Sequence, residues 1–120
     1  MFSEKMGGVR IETGTPAADT NFTYESGVST VAKSGNVVQV RLKFTVSTAF
    51  TPTSNTVIAT LPFKAFVNLT ILPKVLVASG AQYRGTALIR NTNQLTIDTD
   101  ARALSVGDSI YIYGTYLTND

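Results

Sequence analysis

Apolar and polar side chains alternate along Ser34–Ser47, SGNVVQVRLKFTVS, with Val38, Val40, Leu42, Phe44 and Val46 on one parity. Val37, Gln39, Arg41, Lys43 and Thr45 take the other. A period of two over so long a run predicts a β-strand with one buried and one wet face. On a helix the same apolar residues would be smeared around the whole circumference. Ser34-Gly35-Asn36 supplies turn chemistry at the start, and no Pro interrupts the run. An antiparallel sheet covered on one side gives this pattern.

The remaining segments predict strands that cover the apolar face. Residues 1–20 are the least regular and read as a linker or arm ahead of a β-domain over 21–120. Met6-Gly7-Gly8 and Thr13-Gly14-Thr15-Pro16-Ala17-Ala18 are breaker clusters, with a short strand between them over Gly8–Thr13. Phe22–Tyr24 and Val28–Ala32 read as short strands around Ser26-Gly27. Thr48–Asn55 is a loop, and Asn55–Leu61 is the next strand, in which Val57, Ala59 and Leu61 share a parity. Ala65–Leu72 alternates again, with Val67, Leu69 and Ile71 as its inner set, and Pro73 separates it from Lys74–Ala78. After a turn at Ser79-Gly80-Ala81, Tyr83–Arg90 and Gln94–Asp98 form a hairpin around Asn91-Thr92-Asn93. Leu95 and Ile97 point one way, Thr96 and Asp98 the other. Gly107-Asp108 is a further turn, and Ser109–Leu117 is the last strand.

About eight to nine strands at this spacing predict an all-β fold, an antiparallel, jelly-roll-like β-sandwich, with a barrel as the alternative closure. No window carries a 3.6-residue period with a cap, so little or no helix is expected.

Composition narrows the function classes. The chain is 43% apolar and 15% charged, which suits one packed domain. Net charge is +2, and the Lys and Arg residues never form a run, so nucleic acid is not an expected partner. The absence of Cys excludes a disulfide scaffold, a thiolate metal site and a Cys nucleophile. No apolar run approaches a membrane span, so no membrane insertion is expected. The N-terminal stretch lacks the basic and apolar regions of a signal peptide.

Catalytic chemistry finds little to work with. There is no His, and no acid lies between Glu25 and Asp98. Asp98 and Asp100 share a parity at a turn and are the one pair with the look of glycosidase or Ca²⁺ chemistry. Asp is favoured at turns because its side chain bonds nearby backbone N–H groups, which accounts for the pair without chemistry. The expectation is a non-enzymatic domain with no cofactor and no metal.

Binding chemistry is better represented. In SIYIYGTYL, Tyr111 and Tyr113 share one face and Ile110 and Ile112 the other. If the Ile face is core, two Tyr rings stand side by side outside, where their apolar rings suit the C–H faces of sugars and their hydroxyls the rim. Strands also favour Tyr for packing alone. Tyr83, Arg84 and Arg90 flank the predicted hairpin, beside Gln82, Asn91 and Asn93, and supply planar donors for hydroxyls and phosphates. Tyr83, Arg84, Arg90, Tyr111 and Tyr113 are therefore the candidate ligand-binding residues. Arg41 and Lys43 on the wet face of the central strand read as a contact for an anionic polymer, as a solvated face or as a guard against edge pairing.

An ordered series of short segments resembles the C-terminal β-domains of phage tail, baseplate and tail-fibre proteins, especially those of siphophages infecting Gram-positive bacteria. The series is Val31-Ala32-Lys33-Ser34-Gly35-Asn36-Val37-Val38-Gln39-Val40, then Phe44-Thr45-Val46-Ser47-Thr48-Ala49, then Ile58-Ala59-Thr60-Leu61-Pro62. Leu95-Thr96-Ile97-Asp98-Thr99-Asp100 and Gly107-Asp108-Ser109-Ile110-Tyr111-Ile112-Tyr113-Gly114-Thr115-Tyr116-Leu117 complete it. After Leu61-Pro62 the family commonly continues with an aromatic-Arg-Pro turn, and this chain departs from it with Phe63-Lys64-Ala65.

The resemblance implies a β-sandwich of the virion tail or baseplate, often a homotrimer. Its implied role is receptor binding to host cell-wall glycan, or else a purely structural place among other virion proteins in a tail or capsid decoration. Adjacent apolar residues of opposite parity, Val75, Leu76 and Val77, fit burial on both sides of a strand in such an assembly.

Overall fold

The chain folds into ten strands among the residues described: β1 (Ile11–Thr13), β2 (Ala17–Ala18), β3 (Phe22–Tyr24), β4 (Thr30–Ser34), β5 (Val37–Val46), β6 (Thr56–Thr60), β7 (Thr70–Ala78), β8 (Ala81–Arg90), β9 (Gln94–Ile97) and β10 (Ser109–Leu117). These come from a computed structural model that describes residues 10–49, 51, 56–67, 70–78, 81–97 and 103–120, by backbone alone at 70–71, 73–78 and 81–86. The fold is an all-β antiparallel sandwich, as the strand spacing predicts. Among the described residues the one helical turn is a 3-10 turn at Ser26–Val28.

β5 is the spine. Val38, Val40, Leu42, Phe44 and Val46 are all buried, and Gln39 and Arg41 are exposed, as period two demands. β10 lies along one side of it over its whole length, from Ser109 opposite Thr45 to Leu117 opposite Val37. The other side is shared, with β4 pairing to Val37–Arg41 and β3 to Phe44–Val46. Hydrogen bonding then runs without a break in the order β1-β4-β5-β10-β7-β8-β9-β6-β2.

The β7–β8 ribbon turns the corner between layers. Lys74–Val77 pair with β10, while Ala87–Arg90 at the other end of β8 pair with β9. The chain crosses back between β2 and β3, where Asp19 N–H donates to Ile58 O and Phe22 N–H to Asp19 O. Leu42, Phe44, Ile110 and Ile112 thereby join Ile58, Leu72, Ile89, Leu95 and Ile97 in one buried cluster. Each fully buried Leu, Ile or Phe contributes about 1.5–3 kcal/mol of transfer free energy, so this cluster is the main source of stability.

Several expectations need correction, each for a local reason. Val28 does not open a strand: residues 26–28 form the 3-10 turn, Val28 is exposed, and β4 starts at Thr30. The Ala17-Ala18 breaker pair forms β2, antiparallel to Thr60 and Ala59. In β6, Val57 pairs with Thr96 and Ala59 with Leu95, leaving Ile58 as a bulge residue. The bulge breaks the alternation, so Ile58 and Ala59 are both buried and Val57 only half-buried.

The stretch before Pro73 differs most. Val67 is exposed, while Ala65 and Leu72 are buried. Residues 65–67 cannot follow one strand neighbour, because Ala65 N–H donates to Thr92 O on one side and Phe66 N–H to Leu117 O on the other. Pro73 does not separate two strands but lies inside β7, opposite Thr86. Its missing N–H is tolerated because the pairing with β10 ends one residue away, at Lys74 opposite Ile112. Leu69, the Ser79-Gly80 turn, Asp98 and Asp100 lie outside the described residues, as does the side chain of Ile71.

The hairpin around Asn91-Thr92-Asn93 forms where expected, with Asn91 and Thr92 both at left-handed φ (50° and 68°). Left-handed backbone is unfavourable for a β-branched residue. Leu61 N–H donating to Asn93 O, together with the Ala65 bond to Thr92 O, holds the tip in place. Leu95 and Ile97 point inward as expected. Thr96, on the opposite parity, is buried too and satisfies its hydroxyl by donating to Leu88 O at 3.0 Å.

Candidate binding face

The outer face of β4, β5 and β10 carries the residues that the alternation leaves outside. Cross-strand register sets Thr30, Arg41 and Tyr113 on one rung and Ala32, Gln39 and Thr115 on the next. Together with the backbone of Val40 and Gly114 they line an open hollow of about 470 Å³. A second hollow of about 200 Å³ continues from it, lined by Val28, Leu42, Lys43 and Tyr111 and sharing Arg41 and Tyr113 with the first. The two form one trough across the middle of the sheet face.

Local structure explains the trough's wall. β3 and β4 share one edge of β5 and leave a gap between them at Lys43. The 3-10 turn fills that gap: Lys43 N–H donates to Ser29 Oγ at 2.9 Å, and Glu25 N–H donates to Lys43 O at 3.0 Å. Val28 at the end of that turn borders the second hollow while 63% exposed, a large apolar side chain left in water. Thr30 is shared with a third hollow of about 220 Å³ that also includes Tyr24. Burial beside Phe44 raises the Tyr24 hydroxyl pKa, and a hydrogen bond with Ser29 partly offsets that.

Ile110 and Ile112 are fully buried, and Tyr111 and Tyr113 stand on the outer face, so these two candidates are brought together. Each ring has a cation over it from the neighbouring strand. Arg41 Cζ lies 5.8 Å from the Tyr113 ring centre, and Lys43 Nζ lies 5.8 Å from that of Tyr111. Exposed contacts of this kind contribute about 0.5–1 kcal/mol each. The edge-guard reading of Arg41 and Lys43 is corrected here: β5 is an interior strand with neighbours on both sides, so its polar face protects no edge.

The other three candidates lie on β8, two strands from β10. Register places Arg84 opposite Val75, and Val75 opposite Tyr111, so Arg84 shares the Tyr111 rung. Tyr83 falls on the rung of Leu76 and Ile110, one residue out of step. Arg90 is six residues beyond Arg84, about 20 Å along the strand, and pairs with Gln94 in the hairpin. The structure does not bring it to the tyrosines. Its half-buried guanidinium has an Nε with no hydrogen-bond partner among the described residues. Sequence reasoning had Arg41 and Lys43 on the wet face but not against the tyrosines, because that pairing depends on register between strands far apart in the chain.

No described carboxylate lines either half of the trough. Glu25 stands at the rim, where its Oε2 accepts a hydrogen bond from Thr45 Oγ1 at 2.8 Å. Asp108 is buried and accepts from Ser105 N–H at 2.8 Å, closing the turn before β10. Among the described residues no three His, Cys, Asp or Glu side chains gather as a metal site, and no helix is long and apolar enough to cross a membrane. The arrangement supplies ring faces, cations and neutral hydrogen-bonding groups. Comparison with known proteins gives no matching family model, no matching curated protein and no matching solved structure.

Proposed function

We propose that this chain is a receptor-binding domain of a phage tail or baseplate that holds host cell-wall saccharide without chemistry. The observation that carries the reading is the trough itself: two adjacent outward tyrosines on an interior part of the sheet, flanked by Thr30, Gln39 and Thr115, with no described carboxylate in the lining. Tyr rings take the apolar C–H faces of sugars, and the hydroxyl and amide groups beside them match sugar hydroxyls. An open trough gives modest affinity per site, which several copies on one particle raise by multivalency.

The test is binding of fluorescently labelled protein to Gram-positive cells and to their extracted wall polysaccharides. Selective labelling of one strain, competed by its own polysaccharide, is the expected result. Tyr111→Ala and Tyr113→Ala each weaken it about tenfold, the size of one lost ring contact, with the fold intact by circular dichroism. Labelling of no strain, or labelling unchanged in both variants, refutes the assignment.

One observation favours a second reading, a structural module among virion proteins. Ile11, Ser34, Val37 and Leu117 share a rung at the far end of the same face, and Phe66 N–H bonds Leu117 O beside it. Ile11, Leu117 and Phe66 are each more than half exposed. An apolar stripe of this kind suits a subunit contact such as that of a homotrimer. A clean oligomer by light scattering that labels no cells supports this reading over the first.

A further inference from the structure

We infer that the trough selects an anionic saccharide, a polyhydroxylated chain bearing carboxylate or phosphate groups, over a neutral chain of the same backbone. The inference rests on the saccharide-binding reading and adds the charge class of the ligand.

Arg41 and Lys43 project from the wet face of the interior strand, about 7 Å apart along it. Neither makes an ion pair with a described residue. The ion pair that is described joins Lys33 to Glu12 through the opposite parity of β4. The trough therefore presents two cations with no described acid in its lining, and Arg41 belongs to both hollows. An occupant that spans the trough must cross Arg41. Glu25 is tied through its N–H to Lys43 O, and its side chain is engaged by Thr45.

The cation–ring contacts supply the discrimination. Arg41 and Lys43 each lie over one face of Tyr113 and Tyr111, and a ring face is the surface that a sugar ring needs. A neutral sugar stacked on that face displaces the cation and leaves it without its ring partner. An anionic group on the chain draws the same cation to itself and frees the ring while the charge stays paired. Arg presents a planar fork that takes either a carboxylate or a phosphate oxygen pair.

The experiment uses three probes with the immobilised 120-residue chain: polygalacturonate, its fully methyl-esterified form, and poly(glycerol phosphate). Esterification removes the charge and keeps the sugar backbone. Polygalacturonate or poly(glycerol phosphate) is expected to bind at least tenfold more tightly than the ester, and the stronger of the two shows whether carboxylate or phosphate is preferred. Raising NaCl from about 0.05 M to 0.5 M shortens the Debye length severalfold and should erase most of that preference. Arg41→Gln and Lys43→Gln should each cost about three- to fivefold on the anionic probe and little on the ester. Equal affinity for acid and ester, unaffected by salt, overturns the charge selection and leaves saccharide binding standing. No binding to any of the three probes also overturns it, and the cell-labelling assay then decides separately whether saccharide binding survives.

Discussion

Gly114 is placed where a side chain cannot go, and replacing it tests the packing beneath the trough. The residue lies on β10 opposite Val40, on the parity of Ile110, Ile112 and Tyr116, so an added Cβ heads into the core. It would stand 2.5 Å from Leu72 Cδ2 and 3.5 Å from the Leu72 Cβ and Cγ. Leu72 is fully buried, so the surrounding core resists the rotamer change that would relieve the clash. Overpacking of this kind costs about 1–3 kcal/mol. Replacing Gly in a strand returns about 0.5–1 kcal/mol of backbone entropy. Gly114→Ala is therefore expected to lose about 1–2 kcal/mol net, or about 4–8 °C in Tm for a domain of this size.

A double-mutant cycle separates this cause from others. Leu72→Ala alone should cost about 2–5 kcal/mol by leaving a cavity. Combined with Gly114→Ala it should cost at least about 1 kcal/mol less than the sum, because the clash partner is gone and the added methyl fills part of the cavity. Urea unfolding followed by tyrosine fluorescence suits the chain, which has five Tyr and no Trp. A neutral Gly114→Ala, or strictly additive variants, would refute the claim that Leu72 is what requires glycine here.

Two further outcomes follow from buried polar groups. Lys33 lies almost wholly inside, with its ammonium 2.9 Å from the half-exposed Glu12 carboxylate of β1. Glu12→Gln should destabilise by about 1 kcal/mol because the buried charge loses its partner, whereas Lys33→Met should be neutral or stabilising in the same thermal melts. Tyr116 is buried and donates to Phe63 O at 2.7 Å. Burial, and secondarily the nearby Asp120 carboxylate, hold its hydroxyl pKa far above the ordinary phenol value of about 10. The folded state thus keeps a proton that the unfolded chain releases, so this contribution is complete below pH ~10 and is lost as pH rises through the folded pKa. Unfolding series between pH 8 and 11 should show Tyr116→Phe about 1 kcal/mol less stable at the low end and less steeply weakened at the high end. Parallel curves would contradict the assignment.

Much of this fold is legible in the chain because β5 and β10 alternate between a buried and an outward face along their length. Their inner residues are the ones that parity names. The illegible part is where backbone bonds run to two partners. Residues 61–67 are shared between the β8–β9 tip and the end of β10, and neither bond partner is near them in sequence. The Ile58 bulge is illegible for a related reason: one extra residue is invisible until the opposing strand is known. Pro73 misleads because proline excludes one ladder bond, not the strand, and β7 is paired on only one side at that residue.

The site follows the same division. Tyr111 and Tyr113 can be found from one strand, since residues two apart share a face. Their partners cannot, since Arg41 and Lys43 are some seventy residues earlier and meet them only through the antiparallel register of β5 with β10. A slip of one residue would set both tyrosines against the core set of β5, so the buried Ile110 and Ile112 that lock the register also determine which cation each ring receives. This bears on what the cations are for. At a sheet edge their charge would oppose the docking of another strand, but β5 is hydrogen-bonded on both sides and has no edge to defend. Nor do they serve the fold as ion pairs, since no described carboxylate is paired with them. Two charges held over two rings on the outer face can stabilise the free protein by only about 1–2 kcal/mol together. That small hold is easily exchanged for stronger partners, which is the property a binding face for an anionic chain requires.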